Sequence, residues 1–172
     1  KGIEYEADQR NADLLVKEME LTESKEVITQ IVSQSNEKEE EESELNSHGA
    51  TQFRSVAARV SYISSDRPDL QFACKSASKF MAKPTTKGWE VLKRIVRYIK
   101  GRPRLIQKLP WEYMSQSLEA FADSDWAGDK RTLKSTSGGV IQWGAHILKS
   151  WSTSQSTLAL SSGEAELYAL TK

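Results

Sequence analysis

One cysteine, Cys74, stands in the 172 residues. A single thiol excludes a disulfide within the chain and any cysteine-based zinc cluster. Its scarcity fits an intracellular setting, cytoplasm or nucleus, better than secretion. No stretch approaches the roughly 20 apolar residues that a membrane helix requires, and no signal-peptide pattern is present, so no membrane partner is expected. Histidine is nearly as scarce. His48 sits in a polar stretch and reads as a solvent-exposed loop residue, and His146 opens a predicted strand and reads as structural. Neither lies near Ser161-Ser162 in sequence, so that pair has no base to make it a nucleophile. An excess of charge of one sign is also missing, with 24 Lys+Arg against 24 Asp+Glu. The first residue is Lys1, not Met, and a piece or a processed product of a longer protein is expected.

The zero net charge hides a separation of charge along the chain. Glu37 to Glu44 holds six glutamates against one lysine, whereas Lys75 to Lys108 holds eleven Lys or Arg against one acid, Glu90. An acidic tract followed by a basic helical stretch reads as a spacer and then a surface suited to phosphates, or else as a solvated helix face.

Apolar periodicity divides the chain further. Asp8 to Leu21 reads as a helix, with Ala12, Leu15, Val16 and Met19 at spacings of three and four. Glu23 to Val32 reads as a second short element, and residues 33–50 as a disordered acidic linker with few apolar residues. Residues 51–110 read as a basic helical region: Phe53 to Ser64; a helix carrying Leu70, Phe72, Ala73, Ala77 and Phe80, with Asp66 as cap and Pro68 in its first turn; and a third helix capped by Thr85 or Thr86 and ended by Gly101 and Pro103. Trp89, Leu92, Val96 and Ile99 form the apolar stripe of that third helix. Lys93, Arg94, Arg97 and Lys100 occupy its other faces and are the candidate nucleic-acid-binding residues.

From Leu118 the period shortens. Leu118 to Trp126, Gly139 to Trp143 and His146 to Trp151 read as strands, the last two joined at Gly144-Ala145 into a hairpin. A Ser/Thr-rich stretch then leads into a helix from about Gly163, capped by Ser161 or Ser162. Trp126, Trp143 and Trp151 alternate with polar neighbours and read as packing residues. The fold class is α/β (α+β): three antiparallel strands, then a helix, after a small helical region. Two acidic clusters fall on this frame, Asp123-Ser124-Asp125 with Asp129 at the first strand's end, and Glu164-Ala165-Glu166 at the helix start. Carboxylates so placed suit hard cations such as Mg²⁺.

Several blocks in order resemble the Pol polyprotein of copia-type LTR retrotransposons. The segments Arg54-Ser55-Val56-Ala57-Ala58-Arg59-Val60-Ser61-Tyr62, Asp66-Arg67-Pro68-Asp69-Leu70-Gln71-Phe72-Ala73 and Lys93-Arg94-Ile95-Val96-Arg97-Tyr98-Ile99-Lys100-Gly101 resemble the region after the polymerase core. Asp123-Ser124-Asp125-Trp126-Ala127-Gly128-Asp129, Lys134-Ser135-Thr136-Ser137-Gly138-Gly139 and the stretch from Trp151 to Glu166 resemble the opening blocks of the family's ribonuclease H domain. The resemblance covers residues 53–172, and more weakly 1–21.

It implies four segments: 1–32 as the helical end of the reverse transcriptase, 33–50 as linker, 51–110 as a basic helical connection, and 117–172 as the amino-terminal half of a ribonuclease H-like domain. Such domains cut the RNA strand of an RNA–DNA hybrid with two Mg²⁺ ions, for which Mn²⁺ substitutes. The resemblance assigns Asp123 and Glu166 as catalytic residues and metal ligands. Asp125 stays a rival for the first role, and Glu164 reads as a helix-start residue favoured by the dipole. The family's later acids fall beyond Lys172, so little or no cleavage is expected of this chain by itself. The polymerase's paired-aspartate motif is absent, so DNA synthesis is not expected. The partners implied are an RNA–DNA hybrid or other nucleic acid and the rest of the polyprotein. The alternative is a non-catalytic nucleic-acid-binding module or a degenerate retrotransposon-derived protein.

Overall fold

The computed structural model describes residues 1–31, 42–114 and 116–172. The chain divides into two units, one of residues 6–106 and the other of residues 1–5 with 107–172.

The first unit is helical: α1 (Gln9–Glu18), α2 (Ser47–Ser64), a 3₁₀ turn (Pro68–Leu70), α3 (Gln71–Ser78) and α4 (Thr86–Gly101). Caps set its boundaries. Asp8 accepts from the Arg10 amide at the start of α1, Asn46 from Gly49 at the start of α2, and Thr85 from Gly88 at the start of α4. The expected Asp66 cap is not formed. The 3₁₀ turn follows Arg67 without a side-chain cap, with Pro68 in its first position, and α3 grows from it. One apolar cluster joins Leu15 of α1, Phe53, Val56 and Val60 of α2, Leu70, and Leu92, Ile95, Val96 and Ile99 of α4. Gly88 lets α4 approach closely, since a Cβ there would lie 2.7 Å from Phe80 and 3.2 Å from Phe53. Segments 1–32 and 51–110, read from sequence as separate, therefore contribute to a single core.

The expected linker is partly structured. Residues 32–41 lie outside the described residues. Beyond them Glu44 bridges to Thr85, Leu45 N–H donates to the Pro84 carbonyl, and α2, with His48, begins at Ser47. Residues 23–31 form no helix or strand.

The second unit holds a pair of strands that the sequence did not announce, β1 (Gly2–Glu6) and β2 (Ile106–Pro110), and the sheet β3 (Leu118–Asp125), β4 (Thr136–Trp143), β5 (His146–Ser154), followed by α5 (Ser162–Leu170). The predicted order, three antiparallel strands and then a helix, is observed. The β4–β5 hairpin turns at Gly144-Ala145, with Gly144 at φ 58°. β3 ends one residue short of the expected Trp126, whereas β4 and β5 run further than their apolar residues suggested, because polar residues continue the ladder: Thr136 pairs with Asp125 on one side and Ser154 on the other. Trp151 packs over Gly139, where a Cβ would come within 2.2 Å of its ring. Among the described residues no helix is long and apolar enough to cross a membrane.

Candidate metal and nucleic-acid sites

Strand alternation decides what the acids of β3 can face. Ser124 lies opposite Ser137, and Ser137 opposite Thr153, so these three share one face. That face carries α5. The Gln155 side-chain amide donates both to Ser137 Oγ (3.0 Å) and to the Ala165 carbonyl (2.8 Å), and Lys172 Nζ donates to Thr153 Oγ1 (2.9 Å). Asp123, opposite Gly138, and Asp125, opposite Thr136, occupy the alternate positions on the other face, and both are exposed. Asp125 folds back on its own loop, since its carboxylate fills the space that a Cβ on Gly128 would take. Asp123 has no such neighbour at that glycine.

The start of α5 separates its two glutamates. Ser161 Oγ accepts from the Glu164 amide at 3.2 Å, and the Glu164 carboxylate accepts from the Leu160 amide (2.6 Å) and the Tyr168 hydroxyl (2.8 Å). This is a capping arrangement. The Leu160 amide first, and then the Tyr168 hydroxyl, hold the Glu164 carboxyl below its ordinary range, and the same bond pushes the Tyr168 hydroxyl up. Glu164 is thus occupied with the helix terminus. Glu166 is half-buried on the turn between Ala165 and Ala169, the two residues by which α5 seats on the sheet. The register gives Asp123 to one face and α5 to the other. The two carboxylates can share an ion only around the free edge of β3, the outer strand of the sheet.

The donor set, carboxylate oxygens alone, suits a hard cation. Among the described residues no group of three or more His, Cys, Asp or Glu side chains is placed to hold a metal ion.

The loop from Trp126 to Ser135 is held from inside. Ser135 Oγ, fully buried, accepts from the Ala127 amide, and Asp129 Oδ1 accepts from the amides of Arg131 (3.1 Å) and Thr132 (3.4 Å). Asp129 N–H donates to the Lys134 carbonyl, and Leu133 N–H to the Asp129 carbonyl. Ala127 and Leu133 sit at φ 51° and 54°, conformations that cost side-chain-bearing residues about 1 kcal/mol or more and persist because surrounding bonds enforce them. Trp126 closes the loop's start by donating from Nε1 to the Ala159 carbonyl (3.1 Å).

The four candidate binding residues of α4, Lys93, Arg94, Arg97 and Lys100, have partners within the helical unit. Lys93 pairs with Glu90 at 2.7 Å. Arg94 donates to Thr29 Oγ1 (2.7 Å), Arg97 to the Lys25 carbonyl (2.6 Å), and Lys100 to the carbonyls of Thr22 (2.5 Å) and Ser24 (2.7 Å). Three of the four therefore strap residues 22–29 along α4, and Glu26 lies against Gly101. Sequence reasoning saw the cations but not the carbonyls, because 65 to 78 residues separate the partners. It also missed Arg67. This side chain is 2% exposed, grips Asp69 through two bonds of 2.9 and 2.8 Å, and donates to the Pro103 carbonyl at 3.3 Å, while Tyr98 donates to Asp69 at 2.9 Å. The block Arg67-Pro68-Asp69 is in this structure a folding element.

Comparison with known proteins places these features. The chain is 36% identical over 119 residues to the retrovirus-related Pol polyprotein from transposon RE1 of Arabidopsis thaliana, and 35% identical over 119 residues to that from transposon RE2 of the same plant; each match takes in 67% of this chain and 8% of the polyprotein. An uncharacterized mitochondrial protein of Arabidopsis thaliana is 38% identical over 120 residues, 69% of this chain and 49% of that protein. The chain thus spans about 8% of the length of the polyproteins that it matches. No protein-family model matches it, and no solved structure does so significantly. Ordered sequence blocks and transposon polyproteins matching two thirds of the chain agree: the chain belongs to the copia-type, retrovirus-related transposon Pol polyproteins.

Proposed function

We propose that this part of a retrotransposon Pol polyprotein joins the end of a reverse transcriptase to the amino-terminal half of a ribonuclease H-like domain, with Asp123 and Glu166 as two of its metal ligands. The observation that carries the reading is that a strand-borne aspartate and a helix-borne glutamate lie in one unit, on opposite faces of a sheet whose outer strand is β3, so that a shared ion would sit around the edge of β3. Two rivals are occupied elsewhere, Asp125 against Gly128 and Glu164 in the helix cap. Mg²⁺, or Mn²⁺ in its place, would supply the Lewis acid that polarises a phosphodiester and sharpens a water as nucleophile. Asp123 and Glu166 would hold it through carboxylate oxygens, while the Ser161–Glu164 cap fixes where α5 begins and so where Glu166 stands. An RNA–DNA hybrid is the substrate of this reading, and the cytoplasm or nucleus its place.

The non-catalytic alternative is favoured by one observation, that no third carboxylate joins the pair among the described residues. Two carboxylates bind divalent ions weakly, so little or no hybrid cleavage is expected of this chain alone, and metal binding gives the sharper test. Titration with Mn²⁺, read by electron paramagnetic resonance, is expected to show weak binding that falls several-fold in Asp123→Asn and in Glu166→Gln and stays unchanged in Glu164→Gln. Equal Mn²⁺ binding by the parent chain, Asp123→Asn and Glu166→Gln would refute the ligand assignment. Robust Mg²⁺-dependent cleavage that survives Asp123→Asn would refute the catalytic one.

A further inference from the structure

We infer that the loop between β3 and β4, through Lys130, Arg131 and Lys134, is a docking element for the sugar–phosphate backbone of nucleic acid. The inference rests on the functional reading above and gives that unit a contact surface. The first support is a contrast in how cations are used. On α4, Lys93, Arg94, Arg97 and Lys100 have partners within the helical unit. On the loop, Lys130 and Arg131 are exposed and Lys134 is half-buried, and among the described residues none of the three has an acidic partner.

The second support is shape. The carboxylate of Asp129 points inward onto the Arg131 and Thr132 amides and so away from the cations at the tip, while Asp125, exposed, lies against Gly128 at the base of the loop. The cross-bonds between Asp129, Leu133 and Lys134, with the two left-handed residues, hold the backbone in one form. Binding then orders side chains only, which keeps its entropic cost low.

The third support is chemical. Gln155 N–H donates to the Ser135 carbonyl, so the exposed hydroxyl residues Ser154 and Ser156 flank the strand position beside Lys134. Cations together with hydroxyl donors are the set that positions a protein on phosphates and sugars. A carboxylate also accepts from hydroxyls, so the poly-glutamate arm of the test separates an acidic protein partner from nucleic acid.

The test uses the full chain in EDTA, so that metal plays no part, and reads binding to a fluorescent RNA–DNA hybrid by anisotropy across a salt series. The expected result is that Lys130→Gln/Arg131→Gln/Lys134→Gln weakens binding on the order of tenfold or more and lowers the slope of log K against log salt by about 2 to 3, the loss of three phosphate contacts. The variant Lys17→Gln, at an exposed cation on α1, is expected to bind as the parent does. An unaltered affinity and slope in the triple variant would overturn the inference, as would absence of hybrid binding by the parent chain or equal affinity for poly-glutamate at matched charge. The changed side chains lie on the surface, and an unchanged far-ultraviolet circular dichroism spectrum verifies the fold of each variant. Loss of the Mn²⁺ result leaves this outcome untouched, so the two failures are told apart.

Discussion

In the helical unit Phe53, Val56, Val60, Leu70, Leu92, Ile95, Val96 and Ile99 are all withdrawn from water, while in the sheet unit the buried apolar residues among the described residues are two alanines, Ala165 and Ala169. What the sheet unit buries instead is polar: Ser135, Thr136, Ser137 and Gln155. Several of its large apolar side chains stay outside, with Leu118 67% and Leu170 70% exposed. The helical unit is held by apolar surface removed from water, about 25 cal/mol per Å². The unit bearing the candidate site is held by ladder bonds and by Gln155, which ties β4 to α5. Each such bond contributes on the order of 1 kcal/mol, but leaving a buried partner unpaired costs more. The half with a packed core ties Arg94, Arg97 and Lys100 to its own chain, and the half with the candidate acids leaves Lys130 and Arg131 outward.

The sharpest way to break this comparison is to hollow out each unit in turn. Phe53→Ala is expected to destabilise the helical unit by about 4 kcal/mol through lost burial and a cavity, whereas Phe121→Ala, 55% exposed on β3, should change stability by less than about 0.5 kcal/mol. Urea unfolding of both variants checks this, and similar losses would end the contrast.

A smaller effect is expected at Arg67. Arg67→Ala leaves Asp69 without the guanidinium that grips it and should cost about 3 kcal/mol. The same pair gives a pH signature. Burial raises the Asp69 carboxyl, but the Arg67 bonds and charge and the Tyr98 hydroxyl outweigh it and set the carboxyl below its ordinary 3.8. A folded value below the unfolded one gives stability that is present above the ordinary value and is lost as pH falls through the folded one. The stability difference between the parent chain and Asp69→Asn should therefore be constant from pH 7 to about 5 and shrink below about 4; a difference that grows toward acid would reverse the sign and refute the account. The smallest effect is Ser161→Ala, which removes the α5 cap and should cost about 1 kcal/mol, seen as a lowered melting temperature.

Caps and periodicities were legible where the signal is local. Thr85, of the pair Thr85 or Thr86, and Ser161, of the pair Ser161 or Ser162, cap α4 and α5, because a side chain reaching an amide three residues on needs nothing distant, and Asp8, read as the first helical residue, caps α1. Glu164 was readable as a helix-start residue for the same reason. Asp66 failed because the turn at Arg67-Pro68-Asp69 belongs to a buried ion pair and not to a cap. β1 and β2 were missed because five-residue strands carry little periodicity and find each other across about a hundred residues. The purpose of Arg94, Arg97 and Lys100 was hidden because their partners, the Thr29 hydroxyl and distant backbone carbonyls, have no signature in sequence.

The sequence by itself determined the family, through ordered blocks, and the succession of helices, strands and a last helix, through hydrophobic period and capping residues. Only the tertiary structure decided that residues on either side of the acidic tract build one core, that α4 holds its own strap, and that Asp123 faces away from the layer carrying α5. Those are questions of which distant groups meet. Chain entropy and burial settle them over the whole fold, and no short run of residues records the answer.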